Sequence, residues 1–211
     1  MTFRAAIVFM SLFVTSLLAD ELAPLRTALE KQAQYKTVRV DVRQTKRIPA
    51  LSEPVIESGH LWLVPGKSFR WEIGKPLAQS AVYHGGEVFL MDEKKKTGLV
   101  LSTEDRRAKP LLMMLGIGEG ATFEGLQKTF TIAETNKVRE HFIVSLVPKG
   151  QLKRAITGMV MQVNISTSFL ERIEWNQKDG TVVVTEFFPP VLNSSIPTTT
   201  FEVKKENYTW E

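Results

Sequence analysis

Apolar and polar residues alternate with a period of two through most of this chain, and this pattern constrains the fold more than any other feature. It begins at Val38–Val42, where valines alternate with charged residues, and it recurs up to residues 201–203. Turn sequences such as Gly85-Gly86 and Asp179-Gly180 separate the alternating segments. Parallel neighbours need long crossovers, so these short strands predict an antiparallel sheet of about ten or eleven strands, which tends to curl.

Two segments have a helical pattern instead. Leu22, Leu25 and Leu29 recur at three- and four-residue steps, which predicts an amphipathic helix over Glu21–Tyr35. The second segment, roughly Thr103–Leu115, ends in an apolar run and contains a proline that should end or restart the helix. We therefore predict an α+β fold: a curved antiparallel sheet forming an unclosed β-barrel, with two lid helices over its concave apolar face.

The N-terminus has the features of an export signal. Arg4 precedes an uncharged, mostly apolar stretch over residues 5–18, and Ala19 is a suitable residue before a cleavage site. This stretch is shorter than the ~20 apolar residues that span a bilayer. We expect residues 1–19 to be a cleaved signal peptide and residues 20–211 to form a single domain, with an uncleaved membrane anchor as the alternative.

Composition excludes several kinds of chemistry. The chain contains no cysteine, which rules out disulfides, thiol catalysis and an N-terminal lipid on cysteine. The net charge of +4 is mild and the basic clusters, such as Lys94–Lys96, are short. A nucleic-acid partner is not expected, because such proteins concentrate basic charge on one face. Solvated turns explain these clusters, and contact with anionic lipid head groups is the alternative.

Catalytic and metal-binding motifs were sought without success. His60, His84 and His141 fall in different predicted strands, and none has the spacing of a zinc site. The glycines at residues 116–120 lack the Lys-Ser/Thr of a phosphate loop, and no nucleophile elbow occurs. We expect no metal, no cofactor and no enzymatic activity.

The remaining signal is apolar. A single curved layer with two helices has more concave surface than the helices can fill, which indicates a cavity. Methionines suit a surface that adapts to varied apolar partners, although core packing is the alternative for any one residue. The candidate cavity residues are Phe69, Trp71, Phe89, Met91, Phe142, Met159 and Met161.

Two segments carry a family resemblance. GHLWLVPGKSFRWE at residues 59–72 and AVYHGGEVFLMD at residues 81–92 resemble the periplasmic lipoprotein carrier (LolA) family. Gln44 matches the glutamine of an early strand of that family, and the resemblance extends over about Glu21–Lys204. It implies an incomplete β-barrel whose apolar cavity takes lipoprotein acyl chains, with Phe69 and Trp71 in the cavity wall. The implied lid contacts are Leu25, Leu29, Leu111, Leu112 and Met114.

The resemblance also implies a function. It describes a monomeric carrier in the periplasm of a Gram-negative-type envelope, which takes an acylated lipoprotein or glycolipid from an inner-membrane exporter to an outer-membrane acceptor. The family's latch arginine before the motif proline is missing, since Val64 and Pro65 stand there, so Arg70 is the candidate latch. An envelope sensor of the same fold and a membrane-tethered lipid-binding protein stay open as alternatives. The chain ends soon after the last predicted strand, which favours a carrier.

Overall fold

The computed structural model describes residues 21–105, 107–118 and 122–211, with the backbone alone at positions 110 and 114. The predicted signal peptide, residues 1–19, lies outside this part of the chain. The described residues contain thirteen strands in a single sheet. The strands are β1 (Val38–Arg47), β2 (Val55–Val64), β3 (Ser68–Ile73), β4 (Gln79–His84), β5 (Glu87–Asp92), β6 (Thr97–Ser102), β7 (Phe130–Val138), β8 (His141–Pro148), β9 (Ile156–Asn164), β10 (Leu170–Gln177), β11 (Val182–Phe187), β12 (Val191–Leu192) and β13 (Thr209–Trp210).

The sheet consists of two meanders that meet in its middle. The strand order is β13-β6-β5-β4-β3-β2-β1-β11-β10-β9-β8-β7, and β12 pairs with β1. The meanders join where β1 pairs with β11, from Val42 opposite Phe187 to Arg47 opposite Val182. All pairings are antiparallel except that of β13 with β6. The curved sheet does not close, which confirms the predicted α+β fold, and the two extra strands beyond the expected eleven are the two-residue strands β12 and β13.

The two outermost long strands, β7 and β6, have differently protected edges. Strand β7 has a register shift between Ile132 and Glu134, where Ala133 is the additional residue, and such a bulge disturbs regular pairing. The outer edge of β6 is covered by β13, whose Thr209 and Trp210 lie beside Thr97 and Gly98.

Three α-helices occur among the described residues: α1 (Ala23–Gln34), α2 (Lys109–Met114) and α3 (Phe123–Thr129). The prediction for α1 is confirmed. The second helix is shorter than expected, because residues 103–105 and 107–108 precede it without helical structure, and Pro110 fits only in a first turn. The sequence analysis missed α3, which is capped by the Thr122 hydroxyl accepting from Gly125 N at 3.0 Å. No helix in this part of the chain has the length and apolar character needed to cross a membrane.

The main core lies on the concave side of the sheet. Val38, Val40 and Val42 of β1 point inward and are buried, because successive side chains of a strand point to opposite faces. Leu25 of α1 and Leu112 of α2 pack in the same apolar cluster. The amphipathic helices therefore cover the concave face, as predicted.

A second apolar cluster lies on the convex face of β4–β6. Val82, Phe89 and Met91 pack there beneath Tyr208 and Trp210 of the C-terminal segment. The Phe89 and Trp210 ring centroids are 5.8 Å apart. The prediction that Phe89 lines the cavity is thus corrected, and Met91 packs in this convex cluster although it also borders the cavity at the sheet edge. Val88 and Leu90 are the residues of β5 that pack toward the main core.

Arg70 also lies on the convex side, so it is not the predicted lid latch. Its Nε is 2.6 Å from Glu72 Oε1. Its Nη1 donates to the carbonyl oxygens of Thr200 and Glu202, each at 3.4 Å. The reason is the strand period, which places Phe69 and Trp71 inward and Arg70 outward. Arg70 therefore fastens the C-terminal segment to the sheet.

A carboxylate fixes the end of this segment. Glu93 is 8% exposed and accepts hydrogen bonds from Ser80 Oγ at 2.6 Å and Tyr208 Oη at 2.9 Å. Burial raises the pKa of Glu93, but hydrogen bonds from Ser80, Lys96 and Tyr208 outweigh it and hold the pKa below its usual value. Burial and the bond to Glu93 raise the pKa of Tyr208 to about 12.

Replacing Tyr208 tests this attachment. We expect Tyr208→Phe to lower the free energy of unfolding at pH 8 by about 1–2 kcal/mol, because a hydrogen bond to a charged group is lost. Folded Tyr208 keeps its proton after an unfolded tyrosine has lost it, so the wild type loses this stability as the pH rises from 10.0 to about 12. The difference between the two proteins in urea denaturation should shrink over that range. A constant difference would contradict the assignment, and Tyr35→Phe, at a hydroxyl with no such bond, is the control.

Candidate binding cavity

A cavity of about 1760 Å³ lies between the concave face of the sheet and α2. Sites for small molecules usually measure about 300–1,000 Å³, so this space suits a larger apolar guest. Its sheet wall comes from both meanders and includes Trp71, Ile73, Leu90, Leu99, Trp175 and Val183. Its roof includes Leu111, Leu112, Met113 and Ile117.

A smaller cavity of about 150 Å³ adjoins the large one beneath α1. Leu29 of α1 forms one side, and Met159 and Met161 of β9 form part of the other. Met113 and Trp175 border both cavities. A rotation of the Met113 side chain, which has an unbranched and flexible chain, would therefore open a path between them.

The structure brings six of the predicted site residues to these two cavities. Trp71, Leu111 and Leu112 border the large cavity, while Leu29, Met159 and Met161 border the small one. Met91 touches the rim of the large cavity at the sheet edge, but it is 4% exposed and packs in the convex cluster. We take that packing as the better description of Met91, because burial and strand alternation agree on it.

Three predicted residues face the concave side without lining either cavity. Phe69 and Leu25 are fully buried, and Phe142 is 3% exposed in the same core. Phe69 packs against the Tyr83 ring with centroids 6.1 Å apart. These residues belong to the packed core that supports the cavity wall. Met114 lies in α2, but its side chain is outside the described part of the structure.

The sequence analysis missed several wall residues. Trp175 follows Ile173 at a two-residue step on β10, so alternation could have placed it inward. It is 9% exposed. Four polar residues of the wall were missed as well, because they lie on the inward face of mostly apolar strands: Gln44, Gln79, Gln177 and Thr185.

The mouth of the large cavity carries charge. Arg107, Lys149 and Arg154 are among its bordering residues. Arg107 is held by Asp105 at 2.8 Å, and this hydrogen bond raises the pKa of its guanidinium. Lys149 Nζ donates to the carbonyl oxygen of Gln127 at 2.6 Å. A guest with a polar head would meet these groups after its apolar part had entered.

The three histidines lie in different parts of the described structure. His60 contacts Asp41, His84 contacts Ser68 and His141 contacts Glu171, so each histidine has its own separate partner. Among the described residues, no group of three His, Cys, Asp or Glu side chains could hold a metal ion. What the arrangement offers is a mostly apolar space that a six-residue helix partly covers.

An unclosed barrel with a helix-covered apolar cavity defines the class of half-barrel binding proteins. The sequence model of the outer membrane lipoprotein carrier protein LolA matches residues 33–204. The chain belongs to this LolA family, and the predicted membership is confirmed.

Two solved structures share the fold at low sequence identity, and a third is similar with a lower TM-score. An uncharacterised conserved protein from Thermus thermophilus is 11% identical, with 92% of this chain and 99% of that chain covered and a TM-score of 0.53. A DUF1329 family protein from Desulfovibrio piger is 10% identical, with coverages of 88% and 96% and a TM-score of 0.50. A LolA superfamily protein from Nitrosomonas europaea is 10% identical, with coverages of 84% and 97% and a TM-score of 0.43. No curated protein sequence matches the chain.

Substitution of two leucines tests whether the roof of the cavity is packed less tightly than the filled core. We expect Leu25→Ala to lower the free energy of unfolding by about 2–5 kcal/mol, because it creates a new void. Leu111→Ala should cost about 1 kcal/mol or less, because Leu111 is half-buried and already borders empty space. Urea denaturation measures both. Equal losses would show that α2 is packed as tightly as α1.

Proposed function

We propose that this protein is a periplasmic carrier that shields the acyl chains of a lipoprotein or another acylated lipid during transfer from the inner to the outer membrane. The observation that carries the proposal is the apolar cavity of about 1760 Å³ on the concave face. Membership of the LolA family supports it. The proposed role is binding and transfer, without a chemical step.

The size of the hydrophobic effect explains why a cavity is needed. Removing one CH₂ group from water is worth about 0.8 kcal/mol, so a 16-carbon chain represents roughly 12 kcal/mol. A surface groove leaves much of the chain in water. Enclosure between the Trp71 and Trp175 side of the sheet and the leucines of α2 removes most of that surface.

The cover over the cavity is suited to movement. α2 has only six residues, and Gly116 and Gly118 after it have φ values of 67° and 72°, which glycine adopts readily. Leu111 and Met113 are half-buried rather than enclosed. In the proposed cycle α2 swings aside, the acyl chain replaces its apolar side chains against the wall, and the sheet stays in place.

The need to release the cargo limits how tightly the carrier can bind an acyl chain. The cavity must be no more favourable for the acyl chain than a bilayer, or the cargo would never leave. Loading then requires an inner-membrane donor that supplies energy, and an outer-membrane acceptor takes the chain onward. A sensor of the same fold would bind acyl chains without passing them to a membrane, so a transfer assay separates the two functions.

Direct detection of the cargo tests the proposal. Protein exported to a bacterial periplasm should show added masses in native mass spectrometry, and solvent extraction should yield acylated lipid. The protein mass in the same spectrum should correspond to cleavage after Ala19. Empty protein that also fails to bind a palmitoylated peptide would refute the carrier function.

Cysteine labelling tests the movement of α2. The chain has no cysteine, so Leu112→Cys introduces a single reactive thiol at a position that is 5% exposed. We expect slow reaction with a maleimide in the empty protein and several-fold faster reaction with a palmitoylated peptide bound. Lys137→Cys on the exposed face of β7 should react equally in both states. Unchanged labelling of Leu112→Cys would contradict displacement of α2.

A further inference from the structure

The inward face of β1 changes from apolar to polar along the strand. Val38, Val40 and Val42 are buried in the main apolar core, and Gln44 follows at the next inward position. The strand pairing places Gln44 directly opposite Thr185 of β11. Two polar side chains thus lie next to each other on a mostly apolar face of the sheet.

These two residues have unused hydrogen-bonding capacity. Thr185 is 1% exposed and Gln44 is half-buried. Gln44 Nε2 lies 3.4 Å from Thr185 Oγ1, which is longer than the usual 2.7–3.2 Å. A glutamine amide has two N–H donors and an acceptor oxygen. The bond to Thr185 is the one side-chain hydrogen bond that Gln44 makes within the described part of the chain.

Their position is at the boundary between apolar and charged surroundings. Gln44 and Thr185 both line the large cavity together with Trp71 and Trp175. Two residues further along β1, Lys46 Nζ lies 3.9 Å from Glu57 Oε2. The strand pairing places the Trp71 ring level with Val40 and the Trp175 ring level with Lys46, so Gln44 and Thr185 lie between the two indoles.

We propose that Gln44 and Thr185 form the subsite that binds the carbonyl group linking the acyl chain of the cargo to its head group. This inference rests on the proposed carrier function and adds the class of ligand: acyl esters and amides, in preference to ethers or hydrocarbons. The free N–H of Gln44 donates to the carbonyl oxygen. The Thr185 hydroxyl accepts the other N–H and holds the amide in place.

Physical chemistry favours this assignment over hydrocarbon contact at the same place. A methylene chain pressed against Gln44 would strip water from the amide without replacing its hydrogen bonds, and a buried unpaired polar group is unfavourable. A carbonyl oxygen supplies the missing acceptor. The order of the Trp71 indole, the Gln44 amide and the Lys46–Glu57 ion pair also sets the direction of the guest, with its chain toward Trp71 and its head toward Lys46.

A matched pair of lipids tests the subsite. 1-Decanoylglycerol and 1-O-decylglycerol are closely matched, and the ether lacks the ester carbonyl. Calorimetric titration of the full-length exported protein, below the micelle concentration of each lipid, should show the ester binding about 2- to 12-fold more tightly, the ratio that one net hydrogen bond produces. In the double variant Gln44→Leu and Thr185→Val the ratio should fall to about 1 while the ether binds at least as well as before.

A control variant and three outcomes make the test decisive. Gln162→Leu makes the same side-chain change on the opposite face of β9, since Met161 and Val163 point inward, and it should leave the ester-to-ether ratio unchanged. A wild type with equal affinity for both lipids, or a double variant that keeps the preference, overturns the subsite. A wild type that binds neither lipid counts against the carrier function itself.

Discussion

The structure depends on a mismatch of area between one open sheet and the helices that cover it. Along each strand every second side chain points to the same side of the sheet, so the curved sheet presents a large concave surface. Among the described residues, only the α-helices α1, α2 and α3 lie over that surface. α1 fills its part of the concave face, with Leu25 fully buried. α2 is six residues long and leaves space beneath it. The cavity is thus a consequence of how little helix the chain supplies.

The wall of that cavity is supported from outside. Strands β4–β6 bury side chains on both faces, because Tyr208 and Trp210 cover Val82, Phe89 and Met91 on the convex side. Arg70 and Glu93 hold this C-terminal segment by hydrogen bonds. Protein interiors packed in this way resist deformation. This support is consistent with the proposed cycle, in which α2 moves and the sheet stays in place.

The inward-pointing residues of a strand could be predicted from the sequence where only one face of the strand is buried. They could not be predicted where both faces are buried. β1 has charged residues between its valines, so its inward face was evident. β5 reads Val88-Phe89-Leu90-Met91 without interruption, and a continuous apolar run does not reveal which residues point inward. Phe89 and Met91 were misplaced for that reason. The contact of Arg70 with Thr200 spans 130 residues of chain, and no local pattern signals such a pairing. From the sequence, Gln44 was identified only as a position of the family motif, because its proposed binding role depends on its pairing with Thr185 of the neighbouring strand.

An unclosed barrel exposes strand edges to which other copies of the chain could add, the first step toward fibrous aggregates. The additional residue Ala133 gives the edge strand β7 a bulge in its pairing with β8, and a bulge bends and twists an edge strand away from a regular partner. β13 occupies part of the other edge, beside Thr97 and Gly98. Both features make pairing between copies less favourable although the sheet remains open.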